Sequence, residues 1–452
     1  MRFSMSSSLN DSDNHREPHY HEESSEEAEK SYRRWFDGNK CGLKSCNSEL
    51  RPDHACVVLV TNESKRRQQA KSKKPPAIDW VKNGRLAIHR ECFDQVNDNE
   101  NGKLSSRAEK NLFRASLPTA EFFDDASTVQ QKAAETAKLF WFVSGKSKKP
   151  SPCVVAFTGA GISSSAGIPT YRGSDGIDTK EAMKHATNEK DNEEEEEEGA
   201  PYSNLKPTAT HRILAKLEKQ GWLSYIASQN CDNLHGKAGT SRDKLTELHG
   251  NIFIEYCSDC HKEYERPYEV DAYSTDCYKE NYYVKCGHCG FGHFTGRRCS
   301  VHGCQGKLKD TIVNFGDPLH NQVLGGLSKA TGNFLAADIC LAMGSSLSVS
   351  PANMLVTLPH FLVVVNLQST DQDNDAHVRV WGESDQFMEC LSREMRNGPS
   401  TETPEAVVVK GKHKRDWEEL KAEIEYSKEQ ETIQEAVAKN ISRQSKRKKR
   451  RG

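Results

Sequence analysis

Long apolar runs are absent from this chain of 452 residues, whose longest apolar stretches, such as Phe361–Val365, have the length of a single strand. A membrane-spanning helix needs about 20 predominantly apolar residues. Residues 1–23 are acidic and also lack the apolar segment of a secretory signal. The sequence therefore predicts a protein that is synthesised into the cytosol and has no membrane partner.

Hydrophobic residues are also scarce, at 35% of the chain, while charged residues make up 28%. Ordinary globular chains contain about 45 to 50% apolar residues when glycine is counted. We therefore expect a normal core to share the chain with long solvated segments, namely a disordered tail at 1–35 and a charged tail at 396–452. The net charge of -2 argues against polyanion binding by the chain as a whole.

Cysteine, in contrast, is plentiful, with 15 residues that lie partly in CxxC pairs. Disulfides are rare in the cytosol, so an odd number of cysteines spaced in this way favours metal ligation.

The strongest core signal lies in the segment 133–395, where four short runs are apolar throughout. They span 153–157, 223–227, 339–343 and 361–365, and small or polar residues follow each one. Such runs are typical of parallel strands that are buried on both faces. A helix is predicted over 211–221, between the first two runs. We therefore predict an α/β fold with a Rossmann-like parallel sheet, whose ligand lies beyond the carboxyl ends of the strands.

Two insertions interrupt this segment, an acidic loop at 179–200 and a cysteine-rich stretch at 257–304. Ahead of the segment we predict a zinc-binding module at 36–96 and a linker at 97–132. The module's candidate ligands are Cys41, Cys46, His89 and Cys92, whose spacing resembles a treble-clef or LIM-like half-site. His54 or Cys56 are alternative ligands, and reduced cysteines scattered in a loop are the alternative interpretation.

A glycine turn follows the first strand, in the string FTGAGISSSAGIPTYRG at 157–173. Gly159 and Gly161 allow the backbone to approach a pyrophosphate. The string precedes a predicted helix start, and the amides of a helix N-terminus can hold the charge of a pyrophosphate. The dinucleotide fingerprint is incomplete because Ser164 stands where its third glycine is expected. On these residues alone, a dinucleotide site and a tight strand-to-helix turn both stay open.

Six strings occur in the order and spacing of the sirtuins, which are NAD-dependent protein-lysine deacylases. They are GAGISSSAGIPTYRG, SQNCDNLH, ELHGNIF with a CxxC directly after it, DTIVNFGDPL, MGSSLSVSPANML and VVVNLQST. The resemblance spans about 153–391, and LKDTIVNFGDPL and VVVNLQST most resemble the nuclear class IV branch that contains human sirtuins six and seven. It implies the sirtuin fold, in which a Rossmann-like sheet carries an inserted small zinc-binding domain.

The resemblance also implies the site. The NAD-binding residues would be Gly159, Ala160, Gly161, Ser164, Tyr171, Arg172, Gln229, His249, Gly344, Ser345, Ser346, Asn366 and Gln368. The catalytic residues would be His249, Asn230 and Asp232. The substrate backbone would pair with Val313, Asn314, Phe315 and Gly316. A neutral imidazole suits the base that removes a proton from a ribose hydroxyl, although a lone histidine is more often structural.

The string PTYRG at 169–173 departs from the PDFRG that is usual in the family. Thr170 removes a carboxylate near the site, and Tyr171 replaces a phenylalanine that covers the reaction centre. These changes affect the expected rate and acyl preference more than NAD binding. They also leave open the alternative that the protein is a catalytically weak, chromatin-binding zinc protein. Protein mono-ADP-ribosyl transfer is an alternative activity at the same site.

Zinc is predicted in the cysteine-rich insertion, where Cys257-x2-Cys260 is a standard first pair of ligands. Cys286 with Cys289 and Cys299 with Cys304 compete as the second pair, and the resemblance favours Cys299 and Cys304. Four thiolates leave no position for water, so this zinc would be structural. Cys277, Cys286 and Cys289, with His288 or His293, would then be free or hold a second ion.

Seven of the nine residues at 443–451 are basic. Such a cluster is typical of a nuclear localisation signal or of a tail that contacts chromatin or nucleic acid, although it can also be merely solvated. We therefore expect a nuclear enzyme whose partners are acyl-lysine proteins, with histone tails as the expected substrates.

Overall fold

The computed structural model describes residues 41, 46, 50, 56–60, 85–98, 120–146, 154–173, 176–177, 202–270, 293–314, 317 and 321–398. The strands are β1 (Cys56–Val60), β2 (Arg85–His89), β3 (Glu121–Phe123), β4 (Val154–Thr158), β5 (Leu223–Ser228), β6 (Leu245–Glu247), β7 (Ile254–Cys257), β8 (Glu263–Glu265), β9 (Phe294–Arg298), β10 (Lys307–Asp310), β11 (Ile339–Met343), β12 (Phe361–Val365) and β13 (Val378–Val380). The α-helices are α1 (Arg90–Asp98), α2 (Ala126–Lys146), α3 (Ala209–Lys219), α4 (Leu234–Lys237), α5 (Asn321–Leu335) and α6 (Ser384–Asn397). Within these residues, every helix is too short or too polar to cross a membrane.

Six parallel strands form the central sheet, in the order β13-β12-β11-β4-β5-β6. Every residue of β4, β11 and β12 is buried, as their uniformly apolar sequences predict. The chain runs outward from β4 to β6 and then restarts on the other side of β4 with β11. The carboxyl ends of β4 and β11 therefore flank the point where the order reverses, which is where open α/β sheets bind their ligands. The predicted Rossmann-like parallel sheet is confirmed.

Helices cover both faces of this sheet. Phe140 of α2, Leu214 of α3 and Phe387 of α6 are buried in the cluster on one face. Ala330 and Phe334 of α5 are buried in the cluster on the other face. Burying a leucine or phenylalanine side chain stabilises a fold by about 1.5 to 3 kcal/mol, so these two clusters fix the sheet between its helices.

A second, antiparallel sheet forms the inserted small domain, in the order β8-β7-β10-β9. Its strands come between β6 and α5 in the chain. Glu255 is fully buried there, but Arg266 and Arg297 donate to its carboxylate, and Thr295 donates from its hydroxyl. This charge is therefore compensated, as buried charges must be.

A third, antiparallel sheet precedes the large one, in the order β2-β1-β3. The predicted linker at 97–132 thus contains β3 and the first turns of α2. The helix α2 begins at Ala126, inside that predicted linker. Asp125 caps it, because its carboxylate accepts the Thr128 amide at 2.8 Å. A polar first turn of this kind carries no apolar periodicity.

No α-helix starts directly at the glycine turn after β4. Two 3-10 turns, Ala160–Ile162 and Ser164–Ala166, follow β4 instead. Gly167 ends the second turn with a φ of 89°, and Pro169 comes two residues later. Both residues oppose propagation of a helix, because glycine adopts positive φ freely and proline lacks an amide donor.

Two buried histidines lie behind this turn. The rings of His211 and His235 are 4.7 Å apart, and His235 Nε2 lies 3.0 Å from the hydroxyl oxygen of Thr158, the last residue of β4. Burial lowers the pKa of both rings, and that of His235 falls from 6.5 to about 3. Both rings are therefore neutral in the folded protein at neutral pH.

This pair predicts acid-sensitive stability. The unfolded chain binds a proton on His235 near pH 6.5, whereas the folded protein does so only near pH 3. The stabilisation is therefore complete above about pH 6.5 and is lost as the pH falls toward 3, by about 1.4 kcal/mol at pH 5.5 for this histidine.

The variant His235→Gln tests this prediction, because glutamine can still hydrogen-bond Thr158 but does not titrate. Urea unfolding at pH 7.5 and 5.5 should show a smaller loss of stability for the variant than for wild type. Equal losses in the two proteins would contradict the prediction.

Candidate functional site

Two glycine turns contact each other at the carboxyl edge of the large sheet. A Cβ atom on Gly159 would lie 2.7 Å from Gly344 O, and one on Gly161 would lie 2.7 Å from Gly344 Cα. The Gly159 amide donates to Met343 O, and the Gly161 amide donates to Gly344 O. Only residues without side chains allow this approach, which joins the ends of β4 and β11.

A buried polar chain lies under the first turn. Asn230 Nδ2 donates to Gly159 O at 3.2 Å and to Ser163 Oγ at 3.1 Å, and Ser163 Oγ donates to Asp232 at 2.7 Å. Burial raises the pKa of Asp232, while hydrogen bonds from the Leu234 amide and Ser163 oppose this shift. These hydrogen bonds hold Asn230 and Asp232, the two candidate catalytic residues after β5, against the glycine turn.

Ser163 was not among the residues singled out from the sequence. It is fully buried, whereas Ser164 and Ser165 are exposed. Ser164, which the resemblance assigned to the cofactor, donates its hydroxyl to Gly161 O at 3.0 Å. Three consecutive serines give no local signal of which one turns inward, so only the path of the 3-10 turns decides it.

His249 lies at the same edge. Its ring lies near the backbone of Gln229, and the Gln229 side chain accepts the Ser345 hydroxyl at 2.7 Å. Burial lowers the pKa of His249, and the hydrogen bond to the Gln229 backbone opposes this only in part. The structure therefore holds an imidazole that is neutral at pH 7 beside Gln229, the residue that follows β5.

A guanidinium reaches the end of β11 from the PTYRG string. Arg172 Nη1 donates to Ser346 Oγ at 2.9 Å and to Ser348 Oγ at 2.6 Å. Thr170 turns its hydroxyl to Arg172 O, and the Tyr171 side chain is 61% exposed. This arrangement places a positive charge near the glycine turns, where it can bind an anion.

The end of β12 adds a further polar segment. Asn366 Nδ2 donates to Gln368 O, and the Arg379 guanidinium donates to the carbonyls of both residues, at 2.8 Å to Asn366 O and 2.7 Å to Gln368 O. Asp373 pairs with Arg379 at 2.6 Å. The backbone of this segment is thus held by a charge that is itself paired.

The predicted substrate segment contacts the backbone of His249. Val313 N donates to His249 O at 3.0 Å, so this amide is already used inside the protein. A Cβ atom on Gly250 would lie 2.0 Å from Thr311 O, and Gly250 has a φ of 86°. Asn314 N donates to Asp317 at 2.7 Å, and Phe315 and Gly316 lie outside the described residues.

His293, considered from the sequence as a free residue or a ligand of a second ion, instead joins this segment to the small domain. Its Nδ1 lies 2.9 Å from Asp310 and its Nε2 lies 3.1 Å from Asp317. The ring thus positions both ends of 310–317. No spacing motif signals this contact, because His293 lies 17 residues before Asp310 and 24 residues before Asp317 in the chain.

The small domain brings four cysteines together, namely Cys257, Cys260, Cys299 and Cys304, whose sulfurs lie within 4.8 Å of one another. The Cys257–Cys304 and Cys260–Cys299 sulfur distances are both 3.6 Å. Zinc with tetrahedral thiolates at about 2.3 Å places sulfurs roughly 3.8 Å apart, so the four side chains fit the ion. The competing Cys286 and Cys289, with Cys277 and His288, lie outside the described residues.

Polar groups of the protein hydrogen-bond two of the sulfurs in this cluster. The Tyr264 hydroxyl lies 3.0 Å from Cys299 Sγ and lowers the pKa of this thiol to about 6. Amides of Asp259 and Cys260 donate to Cys257 Sγ. A zinc ligand must be deprotonated, and four protein ligands leave no open position, so the site is structural.

The amino-terminal sheet also brings its candidate ligands together. The ligand atoms of Cys41, Cys46, His89 and Cys92 lie within 4.8 Å of one another. The alternative ligand His54 lies outside the described residues, as does the Cys56 side chain.

Zinc content tests the small-domain cluster. We expect Cys299→Ser to lose one zinc per chain, because three thiolates and a hydroxyl bind the ion more weakly than four thiolates. Elemental analysis of the dialysed full chain measures this. Cys390→Ser on α6 is the matched control and should retain the wild-type content, and an unchanged zinc content in Cys299→Ser would contradict the assignment.

The family profile described as the Sir2 family matches residues 159–351, which contain both glycine turns, His249 and the four-cysteine cluster. The chain is 36% identical over 270 residues to the NAD-dependent protein deacetylase SRT1 of Arabidopsis thaliana, covering 58% of this chain and 49% of the relative. It is 33% identical over 290 residues to the NAD-dependent protein deacetylase sirtuin-7 of Homo sapiens, covering 61% of this chain and 62% of the relative.

The chain thus spans about half to three fifths of the length of these two relatives. It covers more of the NAD-dependent protein deacetylase Sirt6 of Drosophila melanogaster, to which it is 32% identical over 267 residues, or 58% of this chain and 74% of the relative. Because the Sir2 profile matches and the chain is 32% identical to a relative of which it covers 74%, the chain belongs to the Sir2 family.

Proposed function

We propose that this protein is an NAD-dependent protein-lysine deacylase. The observation that carries the proposal is the position of His249, which is mostly buried beside the Gln229 backbone at the edge where the two glycine turns meet. A dinucleotide at this edge would meet the Arg172 guanidinium for its phosphates and the end of β12 for its adenosine half. The names of the relatives in the family support the same activity.

NAD, when bound, would supply a ribose carbon whose bond to nicotinamide breaks as the acyl-lysine carbonyl oxygen attacks it. The ring nitrogen of His249 that does not face Gln229 would take the proton from a ribose hydroxyl. Asn230 and Asp232 are held rigidly by Ser163 and would orient groups on the nicotinamide side. The segment that begins at Val313 would receive the substrate backbone, positioned by its hydrogen bond to His249 O.

We expect His249→Ala to reduce deacylation by about 10²- to 10⁴-fold, the usual contribution of a positioned base. Mass spectrometry of acetyl-lysine and long-chain acyl-lysine peptides incubated with NAD measures the reaction and the acyl preference together. His360→Ala is the matched control, since His360 is exposed at the opposite, amino end of β12. Equal steady-state rates of peptide deacylation by wild type and His249→Ala would refute the proposal.

The pH profile gives an independent test of the base. The proton acceptor must be neutral, and burial lowers the pKa of His249 below 6.5. The kcat/KM should therefore stay constant from neutral pH to below 6.5 and decline only at lower pH. A decline that begins above pH 7 would assign the proton transfer to another group.

Product analysis separates the two activities that this site allows. Free nicotinamide with O-acyl-ADP-ribose indicates deacylation, whereas labelled ADP-ribose retained on protein indicates mono-ADP-ribosyl transfer. The relatives' names favour deacylation, and both activities would be absent from a binding protein that had lost catalysis through Thr170 and Tyr171.

The nuclear assignment rests on the basic cluster at 443–451, which lies outside the described residues. We infer that it directs the protein to the nucleus, where lysines of histone tails are the expected substrates and the same charges contact nucleic acid. Replacing the basic residues at 446–451 with alanine should move the fluorescently tagged full chain from nucleus to cytoplasm. An unchanged distribution would remove this support.

A further inference from the structure

A second donor set lies outside the active site, where β2 meets α1. His89 is the last residue of β2, and Cys92 lies in the first turn of α1. Cys46 Sγ is 3.3 Å from His89 Nδ1, and all four ligand atoms, including those of Cys41 and Cys92, lie within 4.8 Å of one another. Three thiols and one imidazole that converge from distant parts of the chain form a donor set that zinc prefers.

The sheet that carries this cluster has a small core. Its fully buried apolar side chains among the described residues include Leu50, Val57, Val58 and Ile88. Units of this size rarely stabilise themselves through apolar burial alone and commonly depend on a bound metal. A metal at the β2–α1 junction would fix the first turn of α1 against the sheet.

The same turn contacts the large sheet. Arg90, next to the ligand His89, has its guanidinium carbon 4.4 Å from the Phe122 ring centroid and 5.2 Å from that of Trp381. Phe93, next to the ligand Cys92, packs edge-on against Phe122 with ring centroids 5.3 Å apart. Both ligands from this turn are therefore adjacent in sequence to the side chains that make the contact.

Backbone hydrogen bonds complete this contact at the predicted adenosine end of the site. Phe122 N donates to Leu367 O at 2.8 Å, and Leu367 lies between Asn366 and Gln368. Trp381 N donates to the Asp124 carboxylate at 2.9 Å. The Arg379 guanidinium, which holds the Asn366 and Gln368 carbonyls, lies 3.5 Å from the Trp381 ring centroid. A continuous series of contacts therefore connects the four-ligand cluster with residues 366–368.

We propose that Cys41, Cys46, His89 and Cys92 bind a second, structural zinc ion, and that this ion braces 366–368 and so strengthens nucleotide binding. The second part rests on the proposed function, because it requires that Asn366 and Gln368 contact the adenosine half of NAD. The first part does not depend on it.

Zinc stoichiometry of the full chain tests the site itself. Wild type should contain two zinc ions per chain, Cys92→Ser should contain one, and Cys390→Ser should contain two. Arg90→Ala should also retain two ions, because it removes the contact with Phe122 and Trp381 but no ligand. One ion in wild type, or two in Cys92→Ser, would overturn the site.

Calorimetric titration with ADP-ribose tests the bracing. Both Cys92→Ser and Arg90→Ala should weaken binding by about threefold to tenfold, a typical effect of breaking coupled contacts at a distance. Hydrogen exchange should accelerate at 366–368 in both variants and stay unchanged in the small-domain strands β7 and β10. Arg90→Ala keeps the test valid if Cys92→Ser fails to fold.

The outcomes separate the two proposals. If wild type binds no ADP-ribose, the proposed function fails while the zinc count still decides the metal site. If wild type binds ADP-ribose and Arg90→Ala binds it equally well with unchanged exchange at 366–368, the bracing is refuted and the proposed function stands.

Discussion

The contact between two backbones without side chains is the constraint on which the site depends. Gly159 and Gly161 approach Gly344 so closely that a single Cβ atom would overlap backbone atoms. This approach joins the carboxyl ends of β4 and β11, the two strands at which the order of the sheet reverses. Asn230 of the buried polar chain donates to Gly159 O at this junction, and Arg172 donates to Ser346, two residues after Gly344.

Burial then sets the charge states around the junction. It lowers the pKa of His249 and keeps His211 and His235 neutral, while it raises the pKa of Asp232. A neutral imidazole can accept a proton, whereas one held as a cation cannot. The burial that keeps the His249 ring neutral therefore also makes the fold sensitive to acid through its other buried histidines. The two smaller sheets add little apolar core. Each contains a cluster of four side chains that can bind a metal ion.

Sequence patterns predicted several features well and others poorly. The strands at 339–343 and 361–365 have the bounds that their apolar runs indicated, because residues buried on both faces cannot be polar. The two 3-10 turns that follow the glycine turn were not predicted, because runs of three residues are too short to show a period. The strand Glu121–Phe123 within the expected linker was missed, because three residues are too few to show a period.

The sequence by itself determined which elements are buried, where the cysteine pairs lie and which family the motifs resemble, because apolar runs, ligand spacing and motif order are local properties. Tertiary structure alone decided which of three adjacent serines reaches Asp232, that His293 links Asp310 to Asp317, and that the amino-terminal cluster adjoins the end of β12. These contacts join residues far apart in the chain. They depend on how strands and turns are placed in space, and no spacing along the sequence records that placement.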